Sequence, residues 1–570
     1  MTEKGGVRVG RGVRGGRGAG WGLRALVALV LAAFALAACT PTGPAEPPTT
    51  PPEETTDPSQ SPSESATAQP LPWGPTEAEV EAAIATASAM SPEQVAGQVI
   101  LARYPGTDPA AAADQLSQYH LGGLVLFGEN VGSLDQVVAT SEAIQAAQSE
   151  LDRSWPAIFA VDNEGGLVQR LSAETGPWTS FPDFMAAGAA NDAEVTHDAA
   201  QAMAIELRAS GLNFDFAPVA DVTIGADDAA IGTRSAGDDP ERVAATVSAA
   251  VDGFTDGGVI SSLKHFPGHG SLTVDSHESL PEQTASAREL TRRDLVPFQA
   301  GIDAGAATVM MGHIAVDAWD EDLPASLSPA AYQHLREDLG FTGVAITDGL
   351  DMGALTNSYG PDEIAVMALD AGADLLLGPT DVGAAHQGIV DALEDGSLDR
   401  DRVDEAAGRV IAMMRWQAQA GEATGPVDPD ESSFGAAASL ALSRAAITQV
   451  AGECGGVLAG PRVHVRGGST QDWDAFVAAA EAGGLEVVPL EEDADSDIRL
   501  VTAETPETGS DVAIALDGPW LLRGAGNPVQ LAAFGHTAGT FEAAVDVLTG
   551  EADAPGTLPV QVRGLPASSC

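Results

Sequence analysis

Eight short apolar runs between residues 98 and 378, separated by alanine-rich stretches of helical character, predict an α/β chain: a (β/α)8 TIM-like barrel followed by a smaller α/β domain. The runs are continuous rather than alternating, as expected of strands covered on both faces. Polar residues collect at or just past their C-terminal ends, where barrel enzymes carry their chemistry. A glycine- and proline-rich break at 421–435 then separates about 135 residues from the rest.

In chain order the runs are QVIL (98–101), GGLVLF (122–127), AIFAVD (157–162), FDFAPV (214–219), ISSLKHF (260–266), TVMMGHI (308–314), GVAITDGL (343–350) and ADLLLG (373–378). A doubly wound open sheet gives similar local signals, but would gather its polar groups at one switch point. Here Asp162, the pair Lys264 and His265, His313 and Asp348 close four different runs, which favours a barrel over residues 76–420. Beyond the 421–435 linker, ASLALSRAAITQVAG reads as helix, and RVHVRG, LEVVPL, IRLVTA and VAIALDG read as strands of a small α/β domain over 436–570.

The N-terminus has a different composition. Six basic residues precede the apolar run ALVALVLAAFALAA, which ends at Cys39, the pattern of an export signal over 1–38. The run is shorter than the roughly 20 residues that span a bilayer. Leu36-Ala37-Ala38-Cys39 resembles the lipobox of bacterial lipoproteins, which implies lipidation at Cys39, a membrane anchor and an extracytoplasmic or secreted protein. Residues 40–75 hold 11 prolines among Thr, Ser and Glu, and 39–75 therefore reads as an extended tether. Cys454 and Cys570 could then pair or stay free.

A formal charge of -55 excludes the basic surface expected of a nucleic-acid partner. Against that background KHFPGHGSLTVDSHESLP (264–281) stands out: it holds three of the ten histidines and Lys264, one of only two lysines. His265 and His269 have zinc-ligand spacing, but Pro267 and Gly268 oppose a helix and no Glu completes the motif, so no metal or other cofactor is expected. Asp275 and His277 are two apart, so an extended backbone points both the same way and lets the carboxylate orient an imidazole for proton transfer. A loop cap is the alternative for an isolated Asp-x-His. Asp348 in AITDGLDM suits a nucleophile at the barrel mouth or an N-cap, with Asp351 further along the loop.

Together, GGLVLFGENV, VDNEGGLVQRL, GLNFDFAPVADV, IGTRSAGDDP, KHFPGHGSLTVDSH, VMMGHI, PASLSP, LREDLGFTGVAITDGLDM and AGADLLL resemble the family 3 glycoside hydrolases, in their bacterial β-N-acetylhexosaminidase branch. The resemblance implies a retaining exo-β-N-acetylglucosaminidase acting on a GlcNAc-containing glycan such as peptidoglycan fragments. Asp348 would be the nucleophile and His277, paired with Asp275, the acid and base. It also implies that Asp162, Arg234, Lys264 and His265 bind the terminal sugar. Lys264, a compact ammonium, suits a cluster of hydroxyls better than a flat guanidinium would. For Arg170 the roles weighed are help in binding the sugar and a structural ion pair, of which the ion pair is expected; for His269 a pin on the KHFPGHG turn is expected, and for His313 a pocket wall or a support of the sixth strand. A β-glucosidase, a GlcNAc phosphorylase (an imidazole repels phosphate less than a carboxylate does) and a glycan-binding lipoprotein are the alternatives. The C-terminal domain is shorter than in two-domain relatives, so a structural or envelope-binding role is expected of it. Oligomeric state is not legible.

Overall fold

The computed structural model describes residues 69–570 apart from 229, 425–432 and 507–508. The signal, Cys39, most of the tether and the centre of the 421–435 linker lie outside these residues. All eight apolar runs form strands: β1 Ile100–Arg103, β2 Gly123–Leu126, β3 Ile158–Val161, β4 Phe214–Asp215, β5 Ile260–Phe266, β6 Thr308–Met311, β7 Val344–Thr347 and β8 Leu376–Leu377. Each pairs in parallel with its sequence neighbours. β1 pairs with β8, and an Ile346–Leu375 bridge joins β7 to β8, so the sheet returns on itself as a barrel.

The crossover helices begin and end where the sequence provides caps. In Pro240–Gly257, Asp239 accepts from the Glu241 amide, Pro240 occupies the first turn where its missing N–H costs nothing, and Gly258 closes the helix at φ +79°. Val243, Val247, Val251 and Phe254 recur at helical spacing and are buried. A β-branched residue at Gly258 would cost about 1–2 kcal/mol in that left-handed conformation.

Some described residues of the segment read as tether are packed on the barrel. Trp73 is buried and donates to Thr342 Oγ1 at 3.0 Å, and Pro70 bridges to Thr76, so the last residues before 76 belong to the barrel. Helices Arg400–Thr424 and Ser433–Ala446 likewise extend into both ends of the expected linker.

In the C-terminal domain the helix-like stretch stops at Ala446 and its TQVA becomes β9, Thr448–Ala451, since Thr and Val favour a strand once Gly452 lies ahead. β10 Arg462–Gly467, β11 Glu486–Val487, β12 Ser496–Val501, β13 Val512–Ala515 and β14 Val529–Ala532 complete a sheet ordered 9-14-13-12-10-11, parallel except for β9 with β14. Cys454 and Cys570 are joined in a disulfide, which ties the chain end to the loop after β9. The tail also returns to the barrel, where Arg242 reaches Leu558 O and Asp238 accepts from the Gln561 amide at 2.7 Å.

Candidate active site

At the C-terminal face of the barrel a cavity of about 340 Å³ opens, lined by Asp162, Arg234, Lys264, His265, His277 and Asp348 among others. These come from the ends of β3, β5 and β7 and from the loops after β4 and β5. Six of the seven residues expected to carry chemistry or bind sugar therefore share one cavity, and the seventh, Asp275, bonds His277 at its edge.

After β3 the chain makes a small hairpin, Asn163–Gly165 against Val168–Gln169. Gly166 turns it at φ +53°, where a Cβ would overlap the Asp183 carboxylate, so only glycine fits. Asp162 and Glu164, two residues apart, fall on the same side and meet Lys264 Nζ at 2.8 and 2.6 Å. Arg234 grips Glu164 with two parallel bonds, Nε at 2.8 Å and Nη2 at 2.7 Å. Burial opposes the charge of Glu164, yet Arg234 and Lys264 outweigh it and hold its pKa at about 2. Lys264, 1% exposed, is pushed down by desolvation, but Asp162 and Glu164 more than compensate and keep it an ammonium.

A second buried carboxylate, Asp221, organises β5's end. It accepts from His265 Nδ1 at 2.8 Å and from the amides of His265 and His269 at 3.2 and 2.6 Å. Burial raises its pKa, but the His265 ring and these amides bring it below the usual carboxylate range. His265 is thereby oriented with its Nε2 unbonded to protein among the described residues. Lys264–His265 and Phe266–Pro267 are both cis peptide bonds.

Asp348 follows β7 directly; its amide donates to Met311 O and its carboxylate accepts from the Gly349 amide at 2.8 Å. Burial works against its charge, whereas His265, His313, the Gly349 amide and Lys264 lower its pKa, leaving an anion at neutral pH. His313 does not line the cavity. Its Nε2 donates to Gly349 O at 2.8 Å, and its Nδ1 therefore accepts the Ser326 hydroxyl at 2.7 Å, so it braces the turn that presents Asp348.

His277 Nδ1 donates to Asp275 Oδ1 at 2.8 Å, and the His277 amide donates to the same oxygen at 2.9 Å. The local-cap geometry and the side-chain pair thus coexist. Burial raises the Asp275 pKa, but the His277 amide and ring together outweigh it and lower it overall.

Arg170 corrects an expectation. It lines the cavity, makes no ion pair among the described residues, and its buried Nε lacks a protein partner. With Val168 it lies on the cavity side of the hairpin, whereas Leu167 and Gln169 face residues of the C-terminal domain. Arg103, over the Phe127 ring at 3.9 Å, pairs with Asp351 at 2.9 Å, and both line the cavity beside Asp348.

Sequence reasoning passed over Glu164 and Asp221. Both obey a rule that located their neighbours: Glu164 is two residues beyond Asp162, and Asp221 stands just past the run FDFAPV. No described residue after Gly378 lines the cavity. The C-terminal domain acts from behind. Phe534 O accepts from the Asp183 amide at 3.0 Å, and the Asp183 carboxylate accepts from the Leu167 amide at 3.1 Å, buttressing the hairpin.

Residues 93–413 match the family described as "Glycosyl hydrolase family 3 N terminal domain". The chain belongs to glycoside hydrolase family 3. This family 3 chain is 38% identical over 284 residues to a protein named beta-hexosaminidase from Stenotrophomonas maltophilia (strain R551-3), covering 49% of the chain and 82% of that protein. It is 32% identical over 333 residues to beta-hexosaminidase A of Pseudoalteromonas piscicida, covering 54% of the chain and only 55% of that protein. The structure of a family 3 beta-N-acetylglucosaminidase from Paenibacillus sp. str. FPU-7 superposes with TM-score 0.72 at 28% identity, covering 84% of this chain and all of that one. The barrel, the further sheet domain and a carbohydrate substrate are all in keeping with a family 3 glycosidase.

Proposed function

We propose that this family 3 glycosidase is a retaining exo-β-N-acetylglucosaminidase that removes terminal GlcNAc from peptidoglycan fragments or related oligosaccharides. The observation that carries the reading is the convergence of Asp348 and the Asp275–His277 pair on one cavity. The Asp348 carboxylate attacks the anomeric carbon while His277, as imidazolium, gives its proton to the departing glycosidic oxygen. A glycosyl ester of Asp348 forms and the aglycone alcohol leaves. His277, now neutral, takes a proton from water, the hydroxyl adds to the anomeric carbon, and Asp348 departs as the carboxylate. Asp275 keeps the ring in the tautomer that presents Nε2.

Lys264, Asp162, Arg234 and His265 bind the hydroxyls of the terminal sugar by charge-assisted bonds. Arg170 joins them, since its unpartnered Nε has no other employment. Because Lys264 lies between two carboxylates, it is held in place before sugar arrives.

The test compares 4-nitrophenyl β-glycosides of GlcNAc and glucose on the purified chain, with and without phosphate. Preferential release from the GlcNAc glycoside, with free GlcNAc as product, supports the reading. Preference for glucose makes it a β-glucosidase, GlcNAc 1-phosphate makes it a phosphorylase, and no turnover leaves a glycan-binding protein. We further propose that Cys39 anchors the mature chain to the outer membrane face. No helix among the described residues is long and apolar enough to span a bilayer. Replacing Cys39 by Ser should shift the protein from the membrane fraction to the medium, and unchanged fractionation would refute the anchor.

A further inference from the structure

Asp348 stands on a braced turn, whereas the acid and base stands on the loop between β5 and β6 and reaches well into solvent. The His277 side chain is 69% exposed and Asp275 36%, and Val274 and Leu280 on the same loop are exposed too. Between Asp275 and His277, however, Ser276 is only 3% exposed. Its side chain turns inward and shares a 3.1 Å hydrogen bond with His269 Nε2.

His269 is itself buried. Its amide is held at 2.6 Å by Asp221, the carboxylate that also orients His265, and burial keeps its ring neutral. On the other flank, the loop's carbonyls are taken by the turn that follows Asp348. The Gly353 amide donates to His277 O at 3.2 Å and the Ala354 amide to Ser276 O at 3.3 Å. A Cβ on Gly353 would come within 2.8 Å of both His277 O and Glu278 O, backbone atoms that cannot swing aside. The glycine is what lets the two loops close on each other.

We propose that His269, Ser276 and Gly353 are positioning residues that hold the Asp275–His277 pair at proton-transfer height over the sugar site, tying it to the same frame that fixes Asp348. They touch neither substrate nor the reacting atoms. They act through His277, and the inference therefore rests on His277 being the acid.

Proton donation matters most when the leaving group is a poor one, so a misplaced acid hurts such substrates selectively, whereas a general structural defect hurts all alike. The experiment measures kcat/KM, which reports the glycosylation step, for phenyl and 2,4-dinitrophenyl N-acetyl-β-glucosaminides on the full chain. His277→Ala serves as the reference, and thermal melts establish that each variant is folded. Ser276→Ala, which removes one neutral hydrogen bond, should lose about three- to tenfold more on the phenyl than on the dinitrophenyl substrate; Gly353→Ala, whose Cβ would press the loop's backbone oxygens away, should show a split at least as large, and His277→Ala the largest. A split in His277→Ala without one in Ser276→Ala and Gly353→Ala would overturn the positioning role alone. No split in His277→Ala would remove His277 as the acid, and the positioning role with it.

Discussion

The barrel carries a cluster of buried charges at each end, and the two are built differently. At the N-terminal end Asp374, fully buried ahead of β8, receives Arg336 at 2.5 Å, Arg402 at 2.6 Å and Arg409 at 3.0 Å, together with the Ala345 amide at 3.0 Å. Burial would raise its pKa, but the three guanidiniums hold it far below the carboxylate range. Both of its oxygens are saturated by protein. At the C-terminal end Lys264, Asp162, Glu164 and Arg234 are paired with equal care, yet Lys264, Asp162 and Arg234 still line a cavity, beside an Arg170 with an unmatched Nε. The same ion-pair chemistry closes one end of the barrel and leaves the other open to a ligand. A saturated cluster serves stability, whereas the incompletely satisfied one is, in the proposed reading, where the sugar binds.

Four outcomes break or sharpen that contrast. Replacing Asp348 by Asn should reduce kcat by about 10⁴-fold or more while leaving the melting temperature nearly intact; steady-state kinetics beside a thermal melt checks it. Asp374→Asn should do the reverse. It removes the counter-charge of three arginines and should cost roughly 3–5 kcal/mol in urea unfolding, with KM unaltered in the molecules that remain folded. A loss of activity without a loss of stability there would erase the distinction between the two ends. Lys264→Met should lower kcat/KM by about 10- to 100-fold, mostly through substrate binding.

The smallest effect concerns the seam with the C-terminal domain. His536 bonds Asp472 and Asp517 at 2.8 Å each; burial lowers its pKa, but the two carboxylates raise it to about 10. The folded state thus binds this proton more tightly than the unfolded chain does. The contribution is complete below pH about 6.5 and is lost as pH rises through about 10. The melting temperature of the wild type should exceed that of His536→Gln by about 2–4 °C at pH 6 and converge on it by pH 10.

The barrel was legible because each strand is an unbroken apolar run, and all eight runs were located. Strand ends in the C-terminal domain were less so. ITQVAG continues a helical stretch in composition, and only its pairing with β14 makes it a strand. The chemistry-bearing residues were legible one by one, since they end apolar runs or stand in a dense motif. Their supports were not. Nothing local in the sequence says that Ser276 turns inward while both neighbours turn out, that His313 braces Gly349, or that Arg170 lacks a carboxylate. Each depends on residues 7 to 36 positions away, or on the absence of a partner anywhere. Proline-rich composition likewise placed the end of the tether after Trp73, because a lone tryptophan does not announce the surface it will bury against.

The most direct test of the whole account is to trap the covalent intermediate. Incubation with 5-fluoro-N-acetyl-β-glucosaminyl fluoride, followed by peptide mass spectrometry, should find the sugar esterified to Asp348, the group held anionic by His265, His313 and Lys264. A label on another residue, or none alongside a product of inverted configuration, would contradict it.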